Sequence, residues 1–116
     1  MQEADKMSYV VRKEQVKETI SGNGHSSFPM LGEAQGCVND CAGGISYYRD
    51  SVYTPPAVHD FQEGFIVLAG EGYARVGAEE FELKKETAFI VPAGVEHQLK
   101  SASSEHPLEL FWFHAK

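Results

Sequence analysis

The feature that most constrains the fold is a series of short runs rich in β-branched and aromatic residues, which follow one another closely through the second half of the chain. Glycine, proline or charged residues separate the runs, a pattern typical of strands joined by turns. Many short strands with almost no helix predict an all-β sandwich or barrel. The predicted strands cover residues 45–49, 64–68, 72–76, 80–83, 87–91, 97–101 and 108–113.

The first 43 residues are less regular. Sparse apolar residues predict an extended piece at 9–12 and a short helical turn at 14–17. A cluster of Ser, Gly and Asn predicts a loop over 21–27, and one or two short strands are expected over 28–44. At 116 residues the chain suits one domain, with N-terminal strands and loops over 1–43 and a barrel core over 44–116.

Charge and hydropathy exclude several classes of partner. The formal net charge is −7, from 17 acidic and 10 basic residues, so phosphate backbones and anionic lipids would be repelled. The longest apolar run, residues 65–69, is too short to cross a bilayer. The polar, charged first seven residues show no secretory signal, which predicts a cytoplasmic protein. Neither nucleic acid nor a membrane is therefore expected as a partner.

The chain has two cysteines, Cys37 and Cys41. Their spacing is neither the C-x-x-C redox pattern nor part of a four-ligand zinc pattern. We predict two free thiols in a reducing compartment, with a disulfide as the first alternative and a metal site assisted by His25 as the second.

Two short motifs lie near the middle of the chain: His59, Glu63 and Gly70, then residues 92–97, which read Pro-Ala-Gly-Val-Glu-His. They resemble the two motifs of the cupin family. The first cupin motif reads Gly, five residues, His-x-His, three or four residues, Glu, six residues, Gly. The second reads Gly, five residues, Pro-x-Gly, two residues, His, three residues, Asn. The resemblance covers residues 43–116 and implies a double-stranded β-helix, the cupin jelly-roll barrel.

The match departs from the family pattern at four positions. Ala57 stands in place of the first histidine, and Ser51 in place of the first glycine. In the second motif Glu86 replaces the glycine and Ser101 replaces the asparagine. The change at position 57 bears on chemistry, because that histidine is one of the family's four metal ligands.

The resemblance implies that His59, Glu63 and His97 hold one divalent transition metal, with Fe, Zn, Ni and Mn all open. Two imidazoles and a carboxylate suit such ions and leave coordination positions free for a substrate. The position vacated at 57 could be filled by water, substrate or another side chain. The candidates are Asp60, Gln62, Gln98 and His25.

Other residues receive structural interpretations. Asp60 is most simply a turn residue, and His106 and His114 lie in a polar loop and near the chain end, with no functional role expected. Tyr47 and Trp112 are interpreted as core or interface residues. The aromatic run at 111–113 predicts a last strand that is apolar on both faces, one lining the barrel and the other meeting a second subunit. Cupins frequently dimerise, so the resemblance implies a homodimer.

Two functions from different classes follow. The first is a metal-dependent enzyme acting on a small organic molecule, dioxygenase-like with iron, or isomerase- or lyase-like with the metal as a Lewis acid. The second is a binding or sensory cupin without turnover, which the four departures favour. A purely structural barrel is a third hypothesis, because fold alone does not imply function. Phe65 and Phe89 would suit an apolar or aromatic ligand, and neither motif contains an arginine for an anionic one.

Overall fold

The computed structural model describes residues 8–116 and is built almost entirely from strands. The first seven residues, on which the expectation of no secretory signal rests, lie outside the described range. Two short 3-10 helices span Lys13–Gln15 and Glu33–Gln35. Strands β1 to β9 span, in chain order, Thr19–Gly22, His25–Leu31, Ala42–Tyr48, Gln62–Ala69, Gly72–Val76, Glu79–Leu83, Ala88–Val91, His97–Ser101 and Leu108–Ala115.

The strands form two antiparallel sheets. The larger sheet has the order β1-β2-β3-β9-β4-β7, and the smaller has the order β6-β5-β8. Their inner faces meet in one apolar core, as sheets do when each has one hydrophobic face to bury. The buried core residues are Tyr48, Phe65, Val67, Ala74, Leu83, Val91, Leu99, Leu108, Leu110 and Trp112. The predicted all-β architecture is confirmed.

Agreement with the predicted strands is closest in the smaller sheet, where β5 and β8 have the predicted bounds. In the larger sheet β4 begins two residues earlier than predicted, at Gln62, and β9 ends two residues later, at Ala115. Both extensions matter for the site, because they bring Glu63 and His114 into paired strands.

The loop predicted over residues 21–27 is wrong. The structure places a hairpin there, in which β1 pairs with β2 and the turn is confined to Asn23 and Gly24. Both turn residues have positive φ, 54° and 70°, as the cluster of Asn and Gly suggested. Residues 25–27 lie in a strand because β2 also pairs along its other edge with β3, a partner that local sequence does not reveal. The short helical turn near the N-terminus occurs at Lys13–Gln15, one to two residues before the predicted position.

Strand β9 lies between β3 and β4 and uses both of its faces. Leu110 and Trp112 are buried on the inner face, whereas Phe113 is 43% exposed on the outer face. The last strand is therefore apolar on both sides, as the aromatic run predicted.

Two further expectations concern the described part of the chain. Within residues 8–116, no helix has the length and apolar character that a membrane span requires. Cys37 and Cys41 are both free thiols.

Candidate metal centre

The three residues of the cupin-like motifs come together between the two sheets. Glu63 is the second residue of β4, points inward and is 8% exposed. His97 is the first residue of β8, in the smaller sheet, and is 6% exposed. His59 is half-buried in the loop that leads into β4. The two motifs therefore contribute from opposite sheets to one end of the barrel.

Backbone hydrogen bonds tie the two motif segments together. Ala57 and His97 exchange both of their backbone hydrogen bonds, at 3.0 and 2.9 Å. The N–H of Gly94 donates to the carbonyl oxygen of His59 at 2.8 Å, from a turn in which Gly94 has φ +80°. Glycine suits this backbone conformation because it has no Cβ. The Pro-x-Gly turn thus fixes both histidines relative to each other.

One carboxylate oxygen lies between the two histidines. Oε1 of Glu63 is 3.4 Å from Nε2 of His59 and 3.4 Å from Nε2 of His97. One potential ligand atom from each of the three residues falls within 4.8 Å of the others. A single ion could therefore contact all three donors after small side-chain adjustments.

A third histidine, His114, binds the other oxygen of the same carboxylate. Its Nε2 is 3.0 Å from Oε2 of Glu63. Strands β4 and β9 pair so that Glu63 and His114 are direct cross-strand partners, and both side chains point inward. The sequence interpretation, which gave His114 no part in the site, missed this contact because it depends on the register between two strands far apart in the chain.

Burial and neighbouring charges set the ionisation of the site. Burial opposes ionisation of Glu63, but hydrogen bonds from His97 and His114 outweigh it, so the pKa of Glu63 is lowered and the carboxylate is ionised at neutral pH. Burial lowers the pKa of His59, against the opposing attraction of Glu63. The same two influences, in the same order, lower the pKa of His25. His59 and His25 are thus favoured in the neutral form, which is the form that ligates metals.

Of the four candidates for the vacated ligand position, only His25 lines the cavity beside the site. Its ring stacks on Tyr48, with centroids 4.3 Å apart and planes 5° apart. Asp60 and Gln62 are exposed. The Gln98 amide donates to the carbonyl oxygen of Thr54 at 2.8 Å. The sequence could not separate these four, because which of them point inward depends on strand register and loop path.

The cavity has a volume of about 400 Å³ and contains the whole candidate site. Ala57 is part of its wall, so the space of the missing histidine is open to the cavity. The lining residues are Ser21, Gly22, Asn23, His25, Ser27, Ser46, Tyr48, Thr54, Pro55, Ala57, His59, Glu63, His97, Leu99, Trp112 and His114.

The donor set fits a divalent transition metal. Two imidazoles and a carboxylate are ligands that such ions use, and a cation would balance the buried charge of Glu63. Hydrogen bonds from neighbouring residues hold some of these candidate ligands better than others. His114 holds the second oxygen of Glu63, but Nδ1 of His97 is buried without a hydrogen-bond partner among residues 8–116. Metal-bound histidines usually donate that second N–H to an acceptor, so the site is better supported at Glu63 than at His97.

Comparison with known proteins establishes the family. Residues 49–114 match the sequence profile described as "Cupin domain", which covers more than half of the chain. The chain therefore belongs to the cupin family. No curated protein sequence matches it.

Solved structures with the same fold support the jelly-roll architecture. The cupin domain of Schizosaccharomyces pombe Cnp3 is similar with a TM-score of 0.74 and 20% identity, over 92% of this chain and 68% of that one. An RmlC-like cupin from Shewanella frigidimarina has a TM-score of 0.74 and 16% identity, over 91% of this chain and 89% of that one. The polyketide cyclase RemF from Streptomyces resistomycificus has a TM-score of 0.74 and 15% identity, over 90% and 77%. At these identities the likeness shows the fold alone.

Proposed function

We propose that the chain binds one divalent transition metal through His59, Glu63 and His97, and uses it on a small organic molecule held in the adjoining cavity. The observation that carries this proposal is the buried, ionised carboxylate of Glu63. One of its oxygens, Oε1, lies 3.4 Å from a nitrogen of His59 and 3.4 Å from a nitrogen of His97. Such a carboxylate is costly unless a cation or several donors balance it.

The chemistry depends on the metal. Bound iron would supply redox chemistry with O2, whereas Zn, Ni or Mn would polarise a carbonyl for isomerase- or lyase-like reactions. The residues of the chain would hold the ligand beside Glu63 and keep bulk water from the buried side of the site. A salicylate 1,2-dioxygenase from Pseudoaminobacter salicylatoxidans shares the fold at 20% identity, and this chain spans 26% of its length. With RemF it supports a catalytic cupin as the first candidate.

The second candidate is a non-catalytic cupin that binds or senses a small molecule. Ala57 favours it, because its backbone still pairs with His97 while it offers no imidazole. The same barrel geometry is thus kept with one ligand fewer, which suits binding without turnover. We also propose a cytoplasmic location and a homodimer, on the grounds given by the sequence and the resemblance.

The decisive measurement is the metal content of the purified protein, element by element, after expression in supplemented medium. We expect about one metal ion per chain, and a loss of most of it in His59→Ala and in His97→Ala. His106→Ala is the matched control, since His106 is exposed and outside the cavity, and it should keep the parent's metal. Absence of stoichiometric metal in the parent, or equal metal in all variants, would sink the metal centre.

Turnover separates the two candidates. Consumption of O2 or conversion of a small-molecule substrate that requires the bound metal supports the enzyme. Saturable binding of a small molecule with no conversion, in protein that holds its metal, supports the sensory alternative.

A further inference from the structure

We propose that Tyr53, which lies outside the cavity, is a positioning residue: its side chain fastens to the smaller sheet the linker that carries His59 and part of the cavity wall. The inference rests on the proposed function in taking His59 as a metal ligand, and it adds a residue on which the placement of that ligand depends. Three features support it: the length of the linker, the contacts of the Tyr53 ring, and the pairing of the residues that follow.

The linker between β3 and β4 spans residues 49–61 and contains neither a strand nor a helix. Connections of this length are uncommon in compact domains and are usually functional. Here the linker supplies four residues that line the cavity, which are Thr54, Pro55, Ala57 and His59. The shape of the cavity therefore depends on what holds the linker in place.

The side chain of Tyr53 contacts all three strands of the smaller sheet. Cζ of Arg75, on β5, is 4.2 Å from the ring centroid, and Nζ of Lys100, on β8, is 4.5 Å from it. The hydroxyl donates a hydrogen bond of 2.5 Å to Oε2 of Glu80, on β6, and the same oxygen accepts one from Nε of Arg75 at 3.3 Å. Cation–π contacts and hydrogen bonds to a carboxylate both stabilise this arrangement.

Directly after Tyr53 the linker pairs with β8, which is an edge strand of the smaller sheet. The N–H of Thr54 donates to the carbonyl oxygen of Leu99 at 3.1 Å, and the N–H of Leu99 donates to Oγ1 of Thr54 at 3.2 Å. A second pair forms between Ala57 and His97. Between the two pairs the chain reads Pro-Pro, which has no N–H to donate. The contacts of Tyr53 therefore reinforce the start of a sparsely bonded stretch.

This stretch leads directly to the candidate ligand. His59 follows Ala57 by two residues, and its carbonyl oxygen accepts a hydrogen bond from Gly94. Without the ring of Tyr53, the pairing at Thr54 would open more often, since few other bonds hold the linker there. The ring of His59 would then sample more orientations. A ligand that must be ordered during binding lowers the affinity for a metal ion.

Hydrogen exchange in the metal-free protein tests whether Tyr53 holds the linker. We expect the amides of Thr54 and Ala57 to exchange about tenfold faster in Tyr53→Ala than in the parent. Tyr53→Phe keeps the ring and loses an exposed hydrogen bond that competes with water, so its rates should stay within about threefold of the parent's. Tyr73→Ala is the matched control, because the Tyr73 ring lies on the same outer face, 5.3 Å from Nζ of Lys100, but belongs to β5. It should leave both amides unchanged.

The spectrum of bound Cu(II) tests whether the linker positions His59. The electron paramagnetic resonance spectrum of Cu(II)-loaded Tyr53→Ala should shift toward that of His59→Ala, whereas Tyr53→Phe and Tyr73→Ala should keep the parent's spectrum. A loss of overall stability would not by itself change the coordination of ions held by folded protein. By chelator competition, metal affinity should fall about three- to tenfold in Tyr53→Ala.

Equal exchange at Thr54 and Ala57 in the parent and in Tyr53→Ala would overturn the inference. An equal acceleration in Tyr73→Ala would also overturn it, by showing that any ring on this face merely stabilises the sheet. So would an unchanged Cu(II) spectrum with unchanged metal affinity in Tyr53→Ala. If the parent binds no metal while Tyr53→Ala alone exchanges faster, the metal centre fails, and the role of Tyr53 in holding His59 and the cavity wall stands.

Discussion

At the scale of single residues, Glu63 is the centre of the site and His114 is its least expected partner. One oxygen of Glu63 lies between His59 and His97, and His114 binds the other at 3.0 Å. With one oxygen held by His114, Glu63 is arranged to offer a single oxygen to an ion. We therefore predict that His114 positions the carboxylate of Glu63.

Replacing His114 tests this role. His114→Phe removes the hydrogen bond, so metal affinity should fall about ten- to a hundredfold, as is typical for residues that orient a ligand. His114→Gln can still donate an N–H and should stay within a few-fold of the parent. Affinity is measured by competition with a chelator, and histidine coordination by pulsed electron paramagnetic resonance on a Cu(II)-loaded sample.

The number of coordinated imidazoles distinguishes positioning from direct ligation. It should be the same in the parent and in His114→Phe. Loss of one coordinated imidazole in both His114→Phe and His114→Gln would show that His114 is itself a ligand. Unchanged metal affinity in His114→Phe would show that His114 has no role at the site.

Metal affinity should also depend on pH in a way that the environment of His59 sets. A protonated imidazole cannot ligate, and burial lowers the pKa of His59 below its ordinary value of 6.5. Proton competition at His59 is thus absent at high pH and grows only as pH falls below that value. The contribution of His59 to metal affinity should therefore be nearly constant from pH 8 to 6.5, and below it should fall by up to about tenfold per pH unit.

Chelator competition at a series of pH values measures this profile. The His106→Ala variant should reproduce the parent's curve, because His106 lies outside the cavity. A fall between pH 8 and 7 that is steeper in the parent than in His59→Ala would contradict the lowered pKa of His59.

At the scale of elements, the turns of the two motifs position the candidate site. Each turn contains a glycine, and the reason that glycine is needed differs between the two. Gly70 and Gly94 have nearly the same φ, +78° and +80°. A Cβ at Gly70 would lie 2.3 Å from the backbone oxygen of Pro107, whereas a Cβ at Gly94 would meet nothing within 4 Å. Gly70 is thus needed for close backbone approach as well as for conformation, and Gly94 for conformation alone.

Alanine at each position separates the two effects. Gly94→Ala should cost about 1 kcal/mol of the free energy of unfolding, from left-handed strain. Gly70→Ala adds a clash with backbone that cannot move aside, so a total of about 2–4 kcal/mol is expected. Denaturant unfolding of both variants measures this difference. Equal costs would mean that the chain at Pro107 shifts freely.

At the scale of the whole molecule, the outer face of the larger sheet is the surface on which the predicted homodimer would form. Apolar side chains on this face are partly exposed, including Ile66, Ile90 and Phe113 at 38%, 47% and 43%. Phe113 lies flat over Gly64, where a Cβ would come within 2.3 Å of its ring. The face thus exposes several apolar side chains, which favours association with a second sheet.

Sedimentation tests the dimer. The parent should sediment at twice the chain mass of 12.8 kDa, and Phe113→Glu at the single mass. A buried, unpaired carboxylate would disrupt such an interface. Val38→Glu is the control, because Val38 is 70% exposed in a loop, and it should behave as the parent does. A parent that is monomeric at micromolar concentration would exclude the dimer there.

The sequence by itself determined most strands of the second half of the chain and the residues of the two motifs. Strands β5 and β8 were predicted with their observed bounds, because glycine turns bound the first and the Pro-x-Gly turn precedes the second. His59, Glu63 and His97 could be proposed from the resemblance to the two cupin motifs, because each motif lies within a short segment, and the structure brings the three residues together. Turn positions and motif spacing depend on neighbouring residues in the chain, so they can be inferred from the sequence alone.

Tertiary structure alone decided the contacts between distant segments. The hairpin of β1 and β2 forms against β3, where the sequence predicted a loop, and His114 reaches Glu63 through pairing 51 residues apart. The facing of Tyr48 into the cavity and of Tyr47 away from it also follows from register, in which a shift of one residue would exchange the two. Register is set by packing across the whole barrel, so no single stretch of the chain contains it.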